Sequence, residues 1–187
     1  MHRQVANVRK SLFDQGYLDE QFIQLEELQD NSNPNFVEEV VTLFYRDSAR
    51  FLSNLDQALE KRSLDFGKLD SLMHQFKSSS TSIGAKKVKS ECTQFRNYCN
   101  ARNAEGCKRT FQNVKKEYTI LRKKLEAYFQ MSRQVGPTET ACRPSSRLVM
   151  PIVPLYLYLF TSLKQQTSYT DDVLLLLHTA INSGVTS

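Results

Sequence analysis

Residues 104–130 read AEGCKRTFQNVKKEYTILRKKLEAYFQ, and this stretch decides the fold class. Its apolar side chains recur at alternating steps of four and three residues, and they are Cys107, Phe111, Val114, Tyr118, Leu121, Leu125 and Tyr128. This spacing lines one face of an α-helix about seven turns long. Because a single apolar face must be buried against other elements, the stretch predicts a chain of packed helices.

The same helical period appears upstream. We predict further helices over residues 36–61, 65–83 and 88–103, and shorter ones over residues 5–13 and 19–29. Asn35 is a candidate N-cap for the first of these, and Gly84 is a candidate C-terminal stop for the second. Four long amphipathic helices with short connections bury their apolar faces best as an up-and-down four-helix bundle, with the short helices packed on it. The predicted fold class is all-α, with an irregular C-terminal tail.

The chain changes character after Gly136-Pro137. The sixteen residues 148–163 are rich in apolar side chains but contain Pro151 and Pro154, and they fall short of the roughly 20 apolar residues that a membrane-spanning helix needs. We therefore expect no membrane span. We assign residues 1–134 to the bundle and 135–187 to a linker and an atypical apolar tail that is not an independent domain. The tail has three open interpretations: it docks on the bundle, lies on a membrane surface, or is loose.

Composition narrows the class of protein. The 187 residues include 6 Gly, 5 Pro and no Trp, which excludes collagen-like and proline-rich chains, and 40% of them are hydrophobic, as in a packed globular domain. The 4 cysteines form no CxxC pair, and residues 1–10 are polar and charged, unlike a signal peptide. We therefore expect a reduced, intracellular protein without a disulfide framework.

Charge is distributed unevenly along the chain. Residues 1–65 carry 7 Lys and Arg against 12 Asp and Glu, a net charge of −5, whereas residues 66–134 carry 15 against 5, a net charge of +10. A basic half attracts nucleic acid, an anionic membrane or an acidic protein surface, and charge alone does not choose among them.

His74 is the one histidine inside a strong helical pattern, since His2 is at the start of the chain and His178 is in the tail. At about 100° per residue, its ring points nearly opposite to the apolar face of its helix. That face is formed by Leu69, Met73, Phe76 and Ile83. Lys77 and Ser78 lie beside His74. A lone helical histidine is more often a satisfied core or surface residue, but the predicted direction excludes the core.

A run of five hydroxyl residues, 78–82, follows His74. Serine and threonine are poor helix formers, so the run costs helix stability. It makes the helix surface nearly flat one turn beyond His74, where the concave site of a partner can reach the ring closely. The ammonium of Lys77 lies near any anion held on the imidazole. These are the properties of a nucleophilic histidine that carries a phosphoryl group.

Residues 74–88 read HQFKSSSTSIGAKKV and closely resemble the signature of the plant histidine-containing phosphotransfer (HPt) proteins, the carriers of cytokinin-type multistep phosphorelays. Other stretches are similar to the same family, namely residues 18–22 and 40–44, Cys92 with Phe95, Arg96 and Cys99, and residues 128–130 leading to Gly136-Pro137. The resemblance covers about 130 residues and leaves out residue 148 onward. It implies the helical bundle of an HPt domain.

The resemblance also implies roles for individual residues. His74 would accept and donate the phosphoryl group, and Lys77 would offset its charge. The face that docks a receiver domain would include Gln75, Ser78, Ser79, Thr81, Lys86, Lys87 and Arg96. The family usually has glycine where this chain has Ser78, so a side chain stands on the surface that a receiver must approach.

The function that the resemblance implies is phosphorelay. The protein would take a phosphoryl group from the receiver domain of a sensor histidine kinase and pass it to response regulators, in the cytoplasm and the nucleus. It would be a carrier without kinase activity and without a cofactor of its own, because the receiver supplies the divalent metal. We expect no direct binding to nucleic acid.

Two other classes of function stay open. A nucleic-acid-binding protein would explain the charge of +10, although its aromatic residues lie on the predicted buried stripe and no zinc or recognition-helix pattern is present. A helical adaptor that docks receiver domains without transfer would explain Ser78. An autonomous histidine kinase is excluded, because the sequence contains no glycine-rich segment for binding ATP.

Overall fold

The computed structural model describes residues 2–135, and within them the chain forms six α-helices. They are α1 (His2–Asp14), α2 (Glu20–Glu27), α3 (Phe36–Leu59), α4 (Phe66–Ser82), α5 (Lys86–Asn100) and α6 (Ala104–Val135). Helix α4 packs between α3 and α5, and α6 closes the ring against the same two helices. Helix α1 packs on α6, and α2 packs on α4. The prediction of an all-α bundle with extra N-terminal helices is confirmed.

The predicted tail lies outside the described residues from position 136 onward, so the division of the chain at residue 135 stays a prediction. Within residues 2–135, no helix is both long enough and apolar enough to cross a membrane.

Aromatic side chains from three helices form the centre of the bundle. The rings of Phe44 and Phe76 are stacked with their centroids 6.3 Å apart, and the edge of Tyr118 meets Phe76 at 6.2 Å. All three residues are buried. Each of these aromatic side chains buries a large apolar area, so the cluster fixes α4 against α3 and α6.

The apolar stripe of α6 departs from the prediction at its C-terminal end. Phe129 is buried there, whereas Tyr128 is half-buried and its hydroxyl donates to Oε1 of Glu26 at 3.3 Å. Alternating steps of four and three average 3.5 residues per turn, but the helix has 3.6, so the buried face drifts by about 20° every seven residues. After three such repeats the drift is large enough that the buried position shifts by one residue, from Tyr128 to Phe129.

Several predicted helix ends were wrong by a few residues. Helix α5 begins at Lys86 and ends at Asn100, and residues 101–103 form the turn before α6. The Asn103 side chain accepts a hydrogen bond from the backbone N–H of Gly106 at 2.8 Å and so caps α6. The α6 helix itself continues to Val135, five residues past the predicted end.

Asn35 stands at the N-cap of α3, as predicted, but its side chain makes no capping hydrogen bond. Oε1 of Gln29 accepts from the backbone N–H of Val37 at 3.3 Å instead. A side chain two residues past the end of α2 therefore satisfies a donor in the first turn of α3, which links the two helices.

Helix α4 ends at Ser82, and Gly84 terminates it in a Schellman motif. The N–H of Ala85 donates to the carbonyl of Ser80 at 2.9 Å, and the N–H of Gly84 donates to that of Thr81 at 3.0 Å, while Gly84 has a φ of +68°. The N–H of Asp19 then donates to the carbonyl of Gly84 at 3.0 Å. The predicted stop at Gly84 is confirmed, and the same residue ties the end of α4 to the segment between α1 and α2.

Candidate functional site

His74 lies on the exposed face of α4. The opposite face of the helix is fully buried through Leu69, Met73 and Phe76, as is Ile83 at its C-cap. The predicted direction of the imidazole is therefore the observed one. Because the helix is anchored by side chains with no exposed surface, the ring projects from a rigid support.

The hydroxyl groups that follow His74 turn back onto the helix. Ser78 Oγ donates to the carbonyl oxygen of His74 at 2.9 Å, and Thr81 Oγ1 donates to that of Lys77 at 2.9 Å. Ser82 Oγ donates to the carbonyl of Ser79 at 2.8 Å. With the oxygens folded onto the backbone, these side chains add little height to the helix.

The sequence predicts that residues 78–82 all contribute to a low surface, but Ser80 does not lie on that surface. It is fully buried, and its Oγ donates to the carbonyl of Phe76 at 2.8 Å. It lies one helical turn after Phe76, so it continues the core face of α4. The flat surface next to His74 is therefore formed by the other four residues of the run, all of which are half-buried.

Lys77 lies on the side of α4 that faces α5. Burial raises the pKa of the Cys92 thiol on α5 to about 12, and the positive charge of Lys77 opposes part of that rise. The side chain of Lys77 is itself half-buried. Lys77 follows His74 by one turn of the helix, so its ammonium is within reach of an anion on the ring.

Arg96 brings a second cation to the same region. Its guanidinium forms a bidentate pair with Asp70, with Nε to Oδ1 at 2.8 Å and Nη2 to Oδ2 at 3.0 Å. Both side chains are about 30% exposed. Asp70 is four residues before His74, so the pair joins α5 to α4 within one helical turn of the imidazole.

Lys86 and Lys87 lie apart from His74. They begin α5, just beyond the end of α4, and Ser82 is already about 12 Å from His74 along the helix axis at 1.5 Å per residue. The Lys87 ammonium stands 4.0 Å from the ring centroid of Tyr17, in a cation–π contact. Lys86 is exposed. The structure therefore does not bring these two lysines together with the histidine.

Neighbouring Lys89 also has a structural partner, because its Nζ lies 2.7 Å from Oδ2 of Asp19. The lysine-rich start of α5 thus holds the segment between α1 and α2 in place. Lys77 follows His74 by one turn on α4, and Arg96 pairs with Asp70 one turn before it.

Sequence reasoning missed Asp70. A carboxylate four residues before an exposed helical histidine is visible in the sequence, but its partner on α5 depends on how the two helices are rotated against each other. Gln75 is half-buried next to His74, and its place at the border of a docking face stays a prediction. Within residues 2–135, no group of three or more His, Cys, Asp and Glu side chains is placed to hold a metal ion.

Comparison with known proteins places this geometry in a family. Residues 39–130 match the Hpt domain family. The chain is 67% identical over 129 residues to Histidine-containing phosphotransfer protein 4 of Arabidopsis thaliana, a match that covers 69% of this chain and 100% of that protein. It is 58% identical over 147 residues to Pseudo histidine-containing phosphotransfer protein 5 of Oryza sativa subsp. japonica, covering 79% of this chain and 97% of the rice protein.

A solved structure agrees with the sequence relatives. The histidine-containing phosphotransfer protein MtHPt2 from Medicago truncatula superposes with a TM-score of 0.69 at 43% sequence identity, covering 72% of this chain and 91% of that one. Its counterpart from maize gives a TM-score of 0.68 at 42% identity, covering 72% of this chain and 98% of that one. With the fold, the exposed histidine and the relatives in agreement, this chain belongs to the plant histidine-containing phosphotransfer proteins, the Hpt-domain family.

Proposed function

We propose that this protein accepts a phosphoryl group on His74 from the receiver domain of a sensor histidine kinase and passes it to response regulators in cytokinin signalling. The observation that carries the proposal is an exposed imidazole on a rigidly packed helix, with Lys77 one turn away and the Arg96–Asp70 pair beside it. Such a ring is open to a partner's active site and stands near positive charge that suits a phosphoryl group.

The transfer step needs one bond to form and one to break. The unprotonated nitrogen of the neutral His74 ring attacks the phosphorus of a phosphoaspartate in line, and the P–N bond forms as the P–O bond to the aspartate breaks. The carboxylate leaves with the electron pair, and the other ring nitrogen keeps its proton while the ring takes up positive charge. The reverse sequence hands the group to the next receiver.

The residues of this chain contribute position and charge. Lys77 offsets the phosphoryl dianion, and the low surface at Ser79 lets the receiver approach. The proposal makes the protein a carrier and not a kinase, with no nucleotide or general base of its own. The divalent metal of the reaction belongs to the receiver.

A non-transferring adaptor is the second candidate. Three of the rice relatives, at 57–58% identity, bear the name Pseudo histidine-containing phosphotransfer protein. Ser78 favours this candidate, because a side chain on the docking face slows a close approach. His74 favours transfer, because an adaptor needs no nucleophile on its docking face.

Incubation of the full chain with a radiolabelled phosphoreceiver separates the two candidates. Transfer gives a label on this protein that is labile in acid and stable in alkali, as expected for phosphohistidine. An adaptor binds the receiver and stays unlabelled. We place the protein in the cytoplasm and the nucleus, where a carrier between kinases and response regulators would act, and imaging of a fluorescent fusion tests that placement.

Replacing Lys77 by alanine should lower the phosphorylated fraction at equilibrium by about two- to fivefold, because a partly screened ammonium near a dianion contributes ~0.5–1 kcal/mol. The measurement is the ratio of phosphorylated carrier to phosphorylated receiver. Lys116→Ala is the matched control, since it removes the same charge from an exposed position on α6, diagonal to α4. Equal ratios in Lys77→Ala and the wild type would remove Lys77 from the site.

Replacing Ser78 by glycine should raise the affinity for the receiver while slightly lowering stability. Glycine costs a few tenths of a kcal/mol more than serine inside a helix, and the bond from Ser78 Oγ to the His74 carbonyl is lost. The gain in affinity should appear as slower dissociation in surface binding measurements. Ala127→Gly on the exposed face of α6 is the control for helix propensity alone, and its receiver affinity should equal that of the wild type. Unchanged dissociation in Ser78→Gly would place the hydroxymethyl group outside the docking surface.

A further inference from the structure

The Asp70–Arg96 ion pair borders His74 on the N-terminal side of its helix. Both oxygens of Asp70 are bonded to the Arg96 guanidinium, at 2.8 and 3.0 Å. Asp70 is on α4 one turn before His74, and Arg96 is on the neighbouring α5. The pair is about 30% exposed, so solvent screens it only in part.

The direction of helical side chains brings this pair close to the reactive ring. Side chains on an α-helix lean toward its N-terminus, so His74 covers the surface over the preceding turn, where Asp70 lies. Lys77 leans the same way, from the turn after His74. The ring therefore stands between Lys77 on one side and the Asp70–Arg96 pair on the other.

A phosphoryl group on His74 would interact with both members of that pair. The Asp70 carboxylate repels the dianion and the Arg96 guanidinium attracts it, so the two effects nearly cancel while both groups are present. We propose that the Asp70–Arg96 pair sets the equilibrium between phosphorylated and free His74, with Asp70 lowering the phosphorylated fraction and Arg96 raising it. The proposal rests on the proposed function, since it concerns the same phosphoryl group.

The Asp70–Arg96 pair also links α4 to α5. A purely structural role predicts a different effect of the substitutions on the phosphorylation equilibrium. If it only held α4 and α5 together, removing either partner would break the same link and change the equilibrium in the same direction. If it balances charge, the two single substitutions act in opposite directions and the double substitution restores the balance.

The experiment measures the equilibrium ratio of phosphorylated carrier to phosphorylated receiver, at concentrations below those at which the two proteins form a complex. The ratio then depends on the free proteins and not on docking affinity. Asp70→Asn should raise it about threefold, Arg96→Gln should lower it about threefold, and the double variant should lie near the wild type. Shifts of the two single variants in one direction, or no shift in either, would overturn the proposal.

A second interhelical pair provides the matched control. Nζ of Lys115 on α6 lies 2.9 Å from Oδ1 of Asp56 on α3, and the two side chains are 32% and 47% exposed. Asp56→Asn and Lys115→Gln should leave the ratio unchanged. Shifts there as large as those at Asp70 and Arg96 would also overturn the proposal, since they would reflect net charge alone. The same assay tests the proposed function separately. If the wild type is labelled and His74→Gln is not, the proposed function holds, whether or not substitutions at Asp70 and Arg96 shift the ratio.

Discussion

His74→Gln should abolish transfer from a phosphorylated receiver, with label at least about a hundredfold below the wild type. A glutamine amide has no nucleophilic nitrogen, so no P–N bond forms, whereas its size and polarity suit an exposed helical position. Because the imidazole lies outside the core, the variant should keep the helical circular dichroism and the melting temperature of the wild type. The measurement is phosphoryl uptake from a radiolabelled receiver, together with thermal unfolding.

The other two histidines provide the controls. His2 is exposed near the start of α1, and His178 lies outside the described residues. His2→Gln and His178→Gln should each be labelled like the wild type. Receiver binding by His74→Gln should persist, because most of the docking face is intact. Label that remains in His74→Gln, or that disappears in His2→Gln, would assign the phosphoryl group to another residue.

The helix positions and the direction of His74 were predictable because each depends on the period of a single helix. A stripe of apolar residues defines the inward face of α4, and the outward face follows from geometry alone. The same calculation, continued for one more turn, places Ser80 on the core face. Because Ser80 stands in a run of similar hydroxyl residues, its residue type does not distinguish it from its half-buried neighbours.

Contacts between helices were not predictable in this way. The pairing of Arg96 with Asp70, and that of Lys87 with Tyr17, depends on how two helices are rotated against each other and on where a connecting segment returns. A sequence that places lysines near a histidine along the chain does not place them near it in space. That is why Lys87 and Lys89 at the start of α5 contact Tyr17 and Asp19, whereas Arg96 further along α5 pairs with Asp70, one turn before His74.

The C-terminal stop of α4 was visible as a lone glycine, but the close approach around it was not. A Cβ on Gly84 would lie 2.7 Å from the backbone nitrogen of Phe22 and 2.7 Å from Oδ1 of Asp19. The Asp19 carboxylate can turn away only by giving up its bonds to the backbone N–H of Gln21 and to Lys89, and the backbone nitrogen of Phe22 cannot move without shifting α2. The φ of +68° adds a second cost for any residue with a Cβ.

Gly84→Ala should therefore destabilise the protein by about 3 kcal/mol and lower the melting temperature by about 10 °C. The left-handed backbone accounts for about 1–2 kcal/mol, and the displacement of α2 from the end of α4 accounts for the rest. Thermal and urea unfolding of the full chain measure both quantities.

Two other glycines separate these causes. Gly16 has nearly the same φ of +69°, but the nearest neighbour of an added Cβ is Lys87 Cε at 4.0 Å, so Gly16→Ala should show the backbone cost alone, a loss of about 3–7 °C. Gly67 is exposed in the first turn of α4 with an ordinary contact at 3.4 Å, so Gly67→Ala should be neutral or stabilising. Equal losses in Gly84→Ala and Gly16→Ala would show that the contact with Phe22 relaxes freely. A clear excess in Gly84→Ala would mean that the end of α4 is held by steric fit against α2, as the 2.7 Å approach of an added Cβ to that backbone requires.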